Sequence, residues 1–361
     1  MIFNLLISCV FSSKLDLPIL RRIAEDDKWP PLRVYIYPIE KFPSRLYKPS
    51  ENPRFYFENN LADLLKESPI YRSNPNDADL FLVPLPLSSL NISHFSEILS
   101  ILPELGPFYD RYHGTDHIFI HAQFPREDTA INVNNFVLHQ GHIFTSGFAI
   151  EGSYVKTWVY AKNLLLPLKP QTKFVDVGSD KKMQIAVDIS TDECTERNKE
   201  IRNHIAEVLK GKEGYVLSDK KDEALKNMEE SAFTLVTACE MEMATQFYDA
   251  LNALSVPIVL NNVMRFPFES ELIDYRKFVL HINESSPEST IGIMEKHSKH
   301  LKKMQDHMNN ARKMLDSTSK DGGYIWAIAW SLYMKLLAWL PIRRRKIIDN
   351  IFNEPNVFVA R

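Results

Sequence analysis

The chain has 361 residues, a formal net charge of −3 and a hydrophobic fraction of 45%, which describe a globular protein long enough for two domains. There is no basic excess, so no nucleic-acid partner is expected. Three cysteines cannot build a disulfide framework, and their spacing suits no zinc site.

The N-terminus begins with a short apolar run at residues 2–11. The run is long enough for the core of a signal peptide and too short to span a bilayer. No basic segment precedes it, so a truncated anchor or a merely apolar end are equal alternatives. Residues 1–31 are therefore expected to be a leader or the remnant of a stem.

Strand and helix patterns alternate through residues 32–170. The run RVYIY at Arg33–Tyr37 is β-branched and aromatic and follows two prolines, so it predicts the first strand. Further strands are predicted at Ala78–Pro84, Asp116–His121, 143–144 and 158–166, and helices at Asn60–Glu67 and Phe95–Leu102. This alternation predicts a parallel sheet, and hence an α/β fold.

The same alternation restarts after residues 167–182, where prolines, glycine and lysines mark a domain boundary. Strands are predicted at Met183–Val187, Tyr215–Leu217, Phe233–Val236 and Val256–Leu260, and helices at Thr195–Leu209 and Met243–Leu254. A methionine stripe at near-helical spacing within Pro287–Leu315 is typical of packing. We therefore expect a second domain at residues 171–316.

The apolar segment Tyr324–Pro341 is followed by four basic residues and contains Lys335. One interpretation is a membrane tail anchor with a basic flank. The favoured interpretation is a buried terminal helix whose lysine reaches the surface by its stem.

Four segments carry a family resemblance. They are RVYIYPIEKF (Arg33–Phe42), SPIYRSNPNDADLFLVP (Ser68–Pro84), PFYDRYHGTDHIFI (Pro107–Ile120) and the long block Phe233–Phe278, which contains FYDA, VPIV, PFE and IDYRKF. Read in this order, they resemble the exostosin domain of glycosyltransferase family 47, with plant-type and protist-type members the most similar.

The resemblance implies a GT-B fold, in which two Rossmann-like domains with parallel sheets face a cleft and C-terminal helices at residues 317–361 cross back to the first domain. It implies a UDP-sugar donor on the second domain, a glycan or proteoglycan acceptor on the first, inversion at the anomeric carbon, and no metal or other cofactor. It also implies a type II protein on the lumenal face of the Golgi or ER membrane, associated through its N-terminus. A homo- or hetero-oligomer with another glycosyltransferase fits the same family.

The candidate catalytic residues are Asp116 and His117, because a carboxylate or imidazole that opens a strand at the cleft edge could deprotonate an acceptor hydroxyl. The alternative is that Asp116 caps a turn and His117 packs in the sheet. Arg72, like Arg111, could bind an anionic group, or it could brace a nearby carbonyl.

The candidate donor-binding residues lie in the block Phe233–Phe278. By resemblance, Asp249 holds the ribose hydroxyls of the nucleotide, Gln246 and Glu240 belong to the loop that faces the diphosphate, and Asn261 and Pro267 form the adjacent wall. Without the resemblance, Asp249 would be interpreted as a surface residue near a helix end.

The diphosphate loop departs from the family pattern. Glycines and an arginine are missing, Glu240 and Glu242 enter the same turn, and Asp188 stands where a cation would help a diphosphate. A carboxylate about 4 Å from a phosphate costs up to about 4 kcal/mol at an effective dielectric of about 20. Two hypotheses therefore stay open: an inverting glycosyltransferase, or an inactive relative that binds glycan or partners an active enzyme.

Overall fold

The computed structural model describes residues 29–49, 51, 55–87, 90, 92–111, 114, 116–120, 141–145, 164–190, 196–237, 245–260, 266–269, 272–282, 286–316 and 323–336. Within these residues the chain forms two five-stranded sheets, and every strand pair in them is parallel. The predicted α/β class with parallel sheets is confirmed.

The first sheet follows the order of the chain. Its strands are β1 (Val34–Ile36), β2 (Leu80–Pro86), β3 (His117–Ile120), β4 (Gly141–Thr145) and β5 (Leu164–Leu165), and its helices are α1 (Tyr56–Lys66), α2 (Ile92–Ile101) and α3 (Phe108–Arg111). Single 3-10 turns lie at Ile39–Lys41, Ser44–Leu46, Pro75–Asp77 and Leu102–Leu105.

Strand β2 is buried on both faces. Leu80 and Leu82 pack in the cluster that includes α1, whereas Phe81 and Val83 pack in the cluster that includes α2 and α3. Because both faces are covered, the strand is a continuous apolar run. The register against β3 shifts between Val83 and Pro86, a stretch with prolines, which cannot donate to the ladder.

The strands of the second sheet are β6 (Lys182–Asp188), β7 (Tyr215–Ser218), β8 (Ser231–Val236), β9 (Val256–Val259) and β10 (Leu280–His281). Their order in the sheet is β10-β9-β8-β6-β7. Its helices are α4 (Glu196–Leu209), α5 (Lys221–Glu230), α6 (Gln246–Asn252), α7 (Thr290–Ser298) and α8 (Leu301–Leu315), with 3-10 turns at Tyr275–Lys277 and Pro287–Ser289.

The strand order of the second sheet reverses between β6 and β8. From β6 the chain moves outward to β7 and then returns to place β8 on the other side of β6. This is the topological switch point of a doubly wound sheet. Ligands of open α/β sheets bind in the crevice outside the carboxyl ends of the strands at such a point.

The last described helix, α9, comprises residues 323–336. Its residues 324–332 are buried. The centroid of the Tyr324 ring lies 4.2 Å from that of Phe57 in α1. It lies 6.5 Å from the ring centroid of Phe268, which follows β9. The helix therefore packs against both units, as the buried-helix interpretation expects.

No helix within the described ranges is both long and apolar enough to cross a bilayer. Residues 1–28 and 337–361, which contain the apolar N-terminal run and the basic flank, lie outside those ranges.

Several predicted elements differ from the observed ones. Helix α1 begins at Tyr56, four positions before the prediction, and helix α5 between β7 and β8 was not expected. The predicted methionine packing is confirmed, since Met304 and Met308 of α8 are buried. The domain ranges 32–170 and 171–316 stay predictions.

Candidate functional site

A cluster of polar side chains lies at the switch point of the second sheet. Asp188 is the last residue of β6, and its carboxylate Oδ1 accepts hydrogen bonds from Ser190 N at 2.9 Å and Ser190 Oγ at 2.6 Å. Its Oδ2 accepts from Gln246 Nε2 at 2.5 Å and lies 3.5 Å from Arg202 Nη1. One carboxylate thus joins β6, α4 and α6.

The cation of this cluster is Arg202, whose side chain is only 1% exposed. Its guanidinium donates to the Ser190 carbonyl and, at 3.1 Å, to the Thr237 carbonyl, which directly follows β8. Burial lowers the pKa of Arg202 from its usual value, because desolvation disfavours the charged form, and nearby Asp188 opposes this shift. Among the residues that the structure describes, Arg202 Nε has no hydrogen-bond partner.

Gln246 begins α6 and uses both ends of its amide within the protein. Its Oε1 accepts from Thr237 N at 3.0 Å, and its Nε2 donates to Asp188. The side chain is buried and connects the carboxyl ends of β6 and β8. The structure therefore places Gln246 at the carboxyl edge of the sheet, where it holds the strand ends together, and its donor-binding role stays a prediction.

Asp249 lies one turn further along α6 and is 1% exposed. Its Oδ1 accepts from Gln171 N at 2.5 Å and Thr172 N at 3.1 Å, so the carboxylate fastens the segment between the two sheets to α6. Desolvation raises the pKa of Asp249 to about 6, and the two backbone hydrogen bonds oppose the rise. This geometry does not favour the predicted ribose contact, because the carboxylate is enclosed and already bonded.

Pro267 is buried in the turn after β9, and its carbonyl accepts from Tyr275 Oη at 2.9 Å. The preceding Phe266 stacks on Tyr275, with ring centroids 4.5 Å apart. Its ring centroid also lies 4.7 Å from that of Phe247 in α6. The predicted wall residue therefore lies beside α6. The other two candidates of this block, Glu240 and Asn261, lie outside the described residues.

Asp116 and His117 form a second, separate cluster in the first sheet. His117 Nδ1 lies 2.9 Å from Asp116 Oδ1, and His117 Nε2 lies 2.9 Å from Tyr37 Oη. Arg111 Nη2 donates to Asp116 Oδ2 at 3.2 Å. Burial raises the pKa of Tyr37 above its usual value.

The expected cleft-edge position of Asp116 and His117 is not observed. Both residues lie at the amino end of β3, whereas ligands of parallel sheets bind at the carboxyl ends. His117 is fully buried and stacks on Phe81 at 5.2 Å. The arrangement fits the alternative, in which Asp116 completes a turn and His117 packs in the sheet, and the catalytic role stays a prediction that the geometry does not favour.

Arg72 also has a local function in the structure. Its Nη1 donates to the Pro69 carbonyl at 2.9 Å and to the Tyr71 carbonyl at 2.6 Å. These bonds correspond to the bracing alternative. The anion-binding role of Arg72 stays a prediction.

Arg202 is the site residue that the sequence interpretation did not name. It shares the buried face of α4 with Ile205 and Leu209, at helical spacing. A charged residue within an apolar stripe needs a partner when buried. That position in the stripe was the available signal, and it points to the switch point because α4 follows β6.

No group of three His, Cys, Asp or Glu side chains within the described part of the chain could hold a metal ion.

The fold and the cluster define the class: an α/β protein with parallel sheets and a polar cluster at the topological switch point of the second sheet. The sequence matches the Exostosin GT47 domain over residues 28–297, which is more than half of the chain. The chain therefore belongs to the exostosin family of glycosyltransferases.

Two solved structures show distant similarity. The glycosyltransferase of kitacinnamycin is 9% identical, with 80% of this chain and 85% of that chain covered and a TM-score of 0.31. The pneumococcal O-GlcNAc transferase GtfA, solved with UDP and GlcNAc, is 9% identical. The alignment covers 71% of this chain and 61% of that chain, with a TM-score of 0.26. Scores this low carry no conclusion about this chain. No curated protein matches the sequence.

Proposed function

We propose that this protein transfers a sugar from a UDP-sugar to a glycan acceptor, with inversion and without a metal. The observation that carries the proposal is the polar cluster at the β6–β8 switch point in a chain of the exostosin family. A nucleotide-sugar needs a site for its diphosphate, and the carboxyl edge of a doubly wound sheet supplies one.

The donor would lie along the carboxyl ends of β6, β8 and β9. Gln246 begins the helix that follows β8, and the Pro267 turn follows β9, so both flank the same edge. A departing UDP carries negative charge, and the buried guanidinium of Arg202 lies at this edge, where it donates to the Thr237 carbonyl. The acceptor would bind on the first unit.

The family resemblance supports the remaining features of the proposal. They are a glycan or proteoglycan acceptor, a position on the lumenal face of the Golgi or ER membrane, and assembly with a second glycosyltransferase. The UDP nucleotide rests on the same resemblance.

The second candidate function is an inactive glycosyltransferase relative that binds glycan or supports an active enzyme. One observation favours it: Asp188 and Gln246 at the switch point are already hydrogen-bonded within the protein. Asp188 accepts from Ser190 and Gln246 and pairs with Arg202. An anion of the chain itself therefore lies where a donor phosphate is expected.

Calorimetric titration with UDP distinguishes the two candidates. We compare the wild type with Arg202→Lys, which keeps the charge and loses the fork of donors, and with the matched control Arg276→Lys, whose side chain is 90% exposed. Micromolar UDP binding that weakens at least tenfold in Arg202→Lys alone supports transfer from a UDP-sugar. Absence of wild-type binding at millimolar UDP overturns it and favours the inactive relative.

A further inference from the structure

We infer that an exposed lysine cluster at the junction of α7 and α8 is a docking surface for a linear anionic polysaccharide. The lysine cluster consists of Lys296, Lys299, Lys302 and Lys303, four cations within eight consecutive residues. The inference goes beyond the proposed function, because it concerns a second binding surface and holds whether or not the protein binds UDP.

The lysine cluster is exposed and its charge is not compensated. All four residues are exposed, and no acidic residue occurs between positions 296 and 303. Within the part of the chain that the structure describes, none of the four ammonium groups forms an ion pair. Other exposed lysines do pair: Lys66 with Asp63 at 3.1 Å and Lys182 with Glu230 at 2.6 Å. A positive surface therefore lies on a chain whose formal net charge is −3.

A histidine within the cluster responds to this positive charge. Partial burial lowers the pKa of His297 from its usual value, and the charges of Lys296 and His300 lower it further. Neighbouring positive charge disfavours a protonated imidazole, so the shift has the direction that an uncompensated basic surface produces.

Helix stability explains only part of the cluster. Lys296 lies in the last turn of α7, where the helix dipole favours a cation. Lys302 and Lys303 lie in the first turn of α8, where the dipole disfavours a cation, and no acidic residue of that turn offsets them. These two lysines weaken their own helix, so their position indicates a role other than folding.

The lysine cluster lies at the amino edge of the second sheet. The Tyr215 hydroxyl, at the start of β7, lies 2.6 Å from Oγ1 of Thr290, at the start of α7. In α8, Gln305 Nε2 donates at 3.0 Å to the carbonyl of Leu254, which lies just before β9. The two helices therefore cross the edge at which the strands begin, whereas the donor is proposed to bind at the edge where they end.

The chemistry of the cluster favours a polysaccharide over other polyanions. Short lysine-rich segments are typical of surfaces that bind nucleic acids or sulfated polysaccharides. Single strands of nucleic acid also stack their bases on aromatic side chains, and a bilayer accepts apolar ones. The exposed large hydrophobic residues of the described chain all lie outside the cluster: Ile39, Tyr47, Phe174, Val177 and Met183. Separate lysine charges without an arginine fork fit carboxylates or sulfates that repeat along a flexible chain.

The test measures the binding of three polymers of equal length by calorimetry: neutral dextran, carboxymethyl dextran and dextran sulfate. We expect the wild type to bind the charged polymers, with an affinity that falls as salt is added, and not to bind neutral dextran. Preference for either charged polymer supports the surface and identifies the group that it binds. Failure of both to bind, or equal binding of neutral dextran, would overturn the inference.

A charge-matched pair of variants locates the binding surface. The first variant changes the four lysines of the cluster to glutamine. The control makes the same change at Lys210, Lys212, Lys220 and Lys226, which are equally exposed. We expect the first variant to lose at least tenfold in dextran sulfate affinity and the control to lose less than twofold. Equal losses would show that binding follows net charge alone, and the cluster would then have no special role.

A membrane surface is tested with vesicles of equal parts phosphatidylserine and phosphatidylcholine. We expect the wild type to bind dextran sulfate more tightly than these vesicles. Tighter binding of the vesicles, lost in the first variant, would assign the cluster to a bilayer and overturn the polysaccharide.

Titration with UDP separates this inference from the proposed function. Saturating dextran sulfate should leave the UDP affinity of the wild type within twofold, because the two ligands lie at opposite edges of the sheet. Displacement of UDP would place the polymer at the donor edge and overturn the separate surface. If the wild type binds dextran sulfate through the cluster and does not bind UDP, the surface stands and the UDP-sugar proposal fails.

Discussion

Two polar clusters of the molecule each contain a buried aspartate paired with an arginine. In the first sheet Asp116 pairs with Arg111 at 3.2 Å, and in the second Asp188 pairs with Arg202 at 3.5 Å. They differ in position and exposure. Asp116 precedes β3, whereas Asp188 ends β6. The Arg111 side chain is 34% exposed, and that of Arg202 is 1% exposed.

The difference shows that strand direction, more than residue type, locates a site in a parallel sheet. Asp116 and His117 have the residue types of a general base, yet they lie at the amino end of their strand. Judged by its charge alone, Asp188 would be unfavourable in a phosphate site, because a carboxylate repels a phosphate. Its position at the carboxyl end places it within the candidate site.

The largest expected effect is on stability and contrasts the two arginines. Arg202→Ala leaves Asp188 buried without its cation, which should lower the free energy of unfolding by about 3–5 kcal/mol. Arg111→Ala should cost about 1 kcal/mol, because that pair is partly exposed. Chemical denaturation of both variants measures the contrast. Equal losses would show that the two clusters are energetically alike.

A third buried aspartate, Asp249, differs from Asp116 and Asp188 in its partners. Its carboxylate accepts from the backbone amides of Gln171 and Thr172 instead of pairing with an arginine. Desolvation raises its pKa in the folded state to about 6, against about 3.9 for an ordinary aspartate. The folded protein therefore binds more protons between these values, and stability is lost as pH rises from about 4 to 6. The loss is about 3 kcal/mol.

Asp249→Asn should remove most of this pH dependence, because the amide oxygen can still accept from both backbone N–H groups and carries no charge. The measurement is urea denaturation of wild type and variant at pH 4, 5, 6 and 7. A variant whose stability falls with pH as steeply as the wild type would assign the dependence to other groups.

The sequence was sufficient for the sheets and insufficient for the roles of the polar side chains. Apolar runs such as Ala78–Pro84 predict buried parallel strands because both faces are covered. The resemblance of the block Phe233–Phe278 predicts Gln246 and Pro267 as donor-site residues; the structure shows that Gln246 begins the helix after β8 and that Pro267 follows β9, and their binding roles stay predictions. The hydrogen-bond partners of the polar side chains could not be predicted. Arg202 donates to the carbonyl of Thr237, 35 positions away, and no local sequence pattern determines such a pairing.

The next prediction tests the amino-end cluster as a candidate catalytic site. His117→Gln should lower the free energy of unfolding by about 1–2 kcal/mol, because a buried hydrogen bond to Tyr37 is disturbed. UDP affinity should stay within twofold of the wild type. The control Tyr37→Phe should have a similar effect on stability. A loss of at least a hundredfold in sugar transfer, without loss of stability, would instead support His117 as a general base.

The smallest expected effect concerns Arg72, which belongs to neither cluster. Its guanidinium braces two carbonyls of its own loop, so Arg72→Ala should cost under about 1 kcal/mol. Lysine can donate to carbonyls but lacks the planar fork, so Arg72→Lys should recover part of this loss. Neither variant should change UDP affinity, since these contacts lie near the start of β1 in the first unit. A tenfold loss of UDP affinity in Arg72→Ala would restore the anion-binding role and extend the donor site beyond the carboxyl edge of the second sheet.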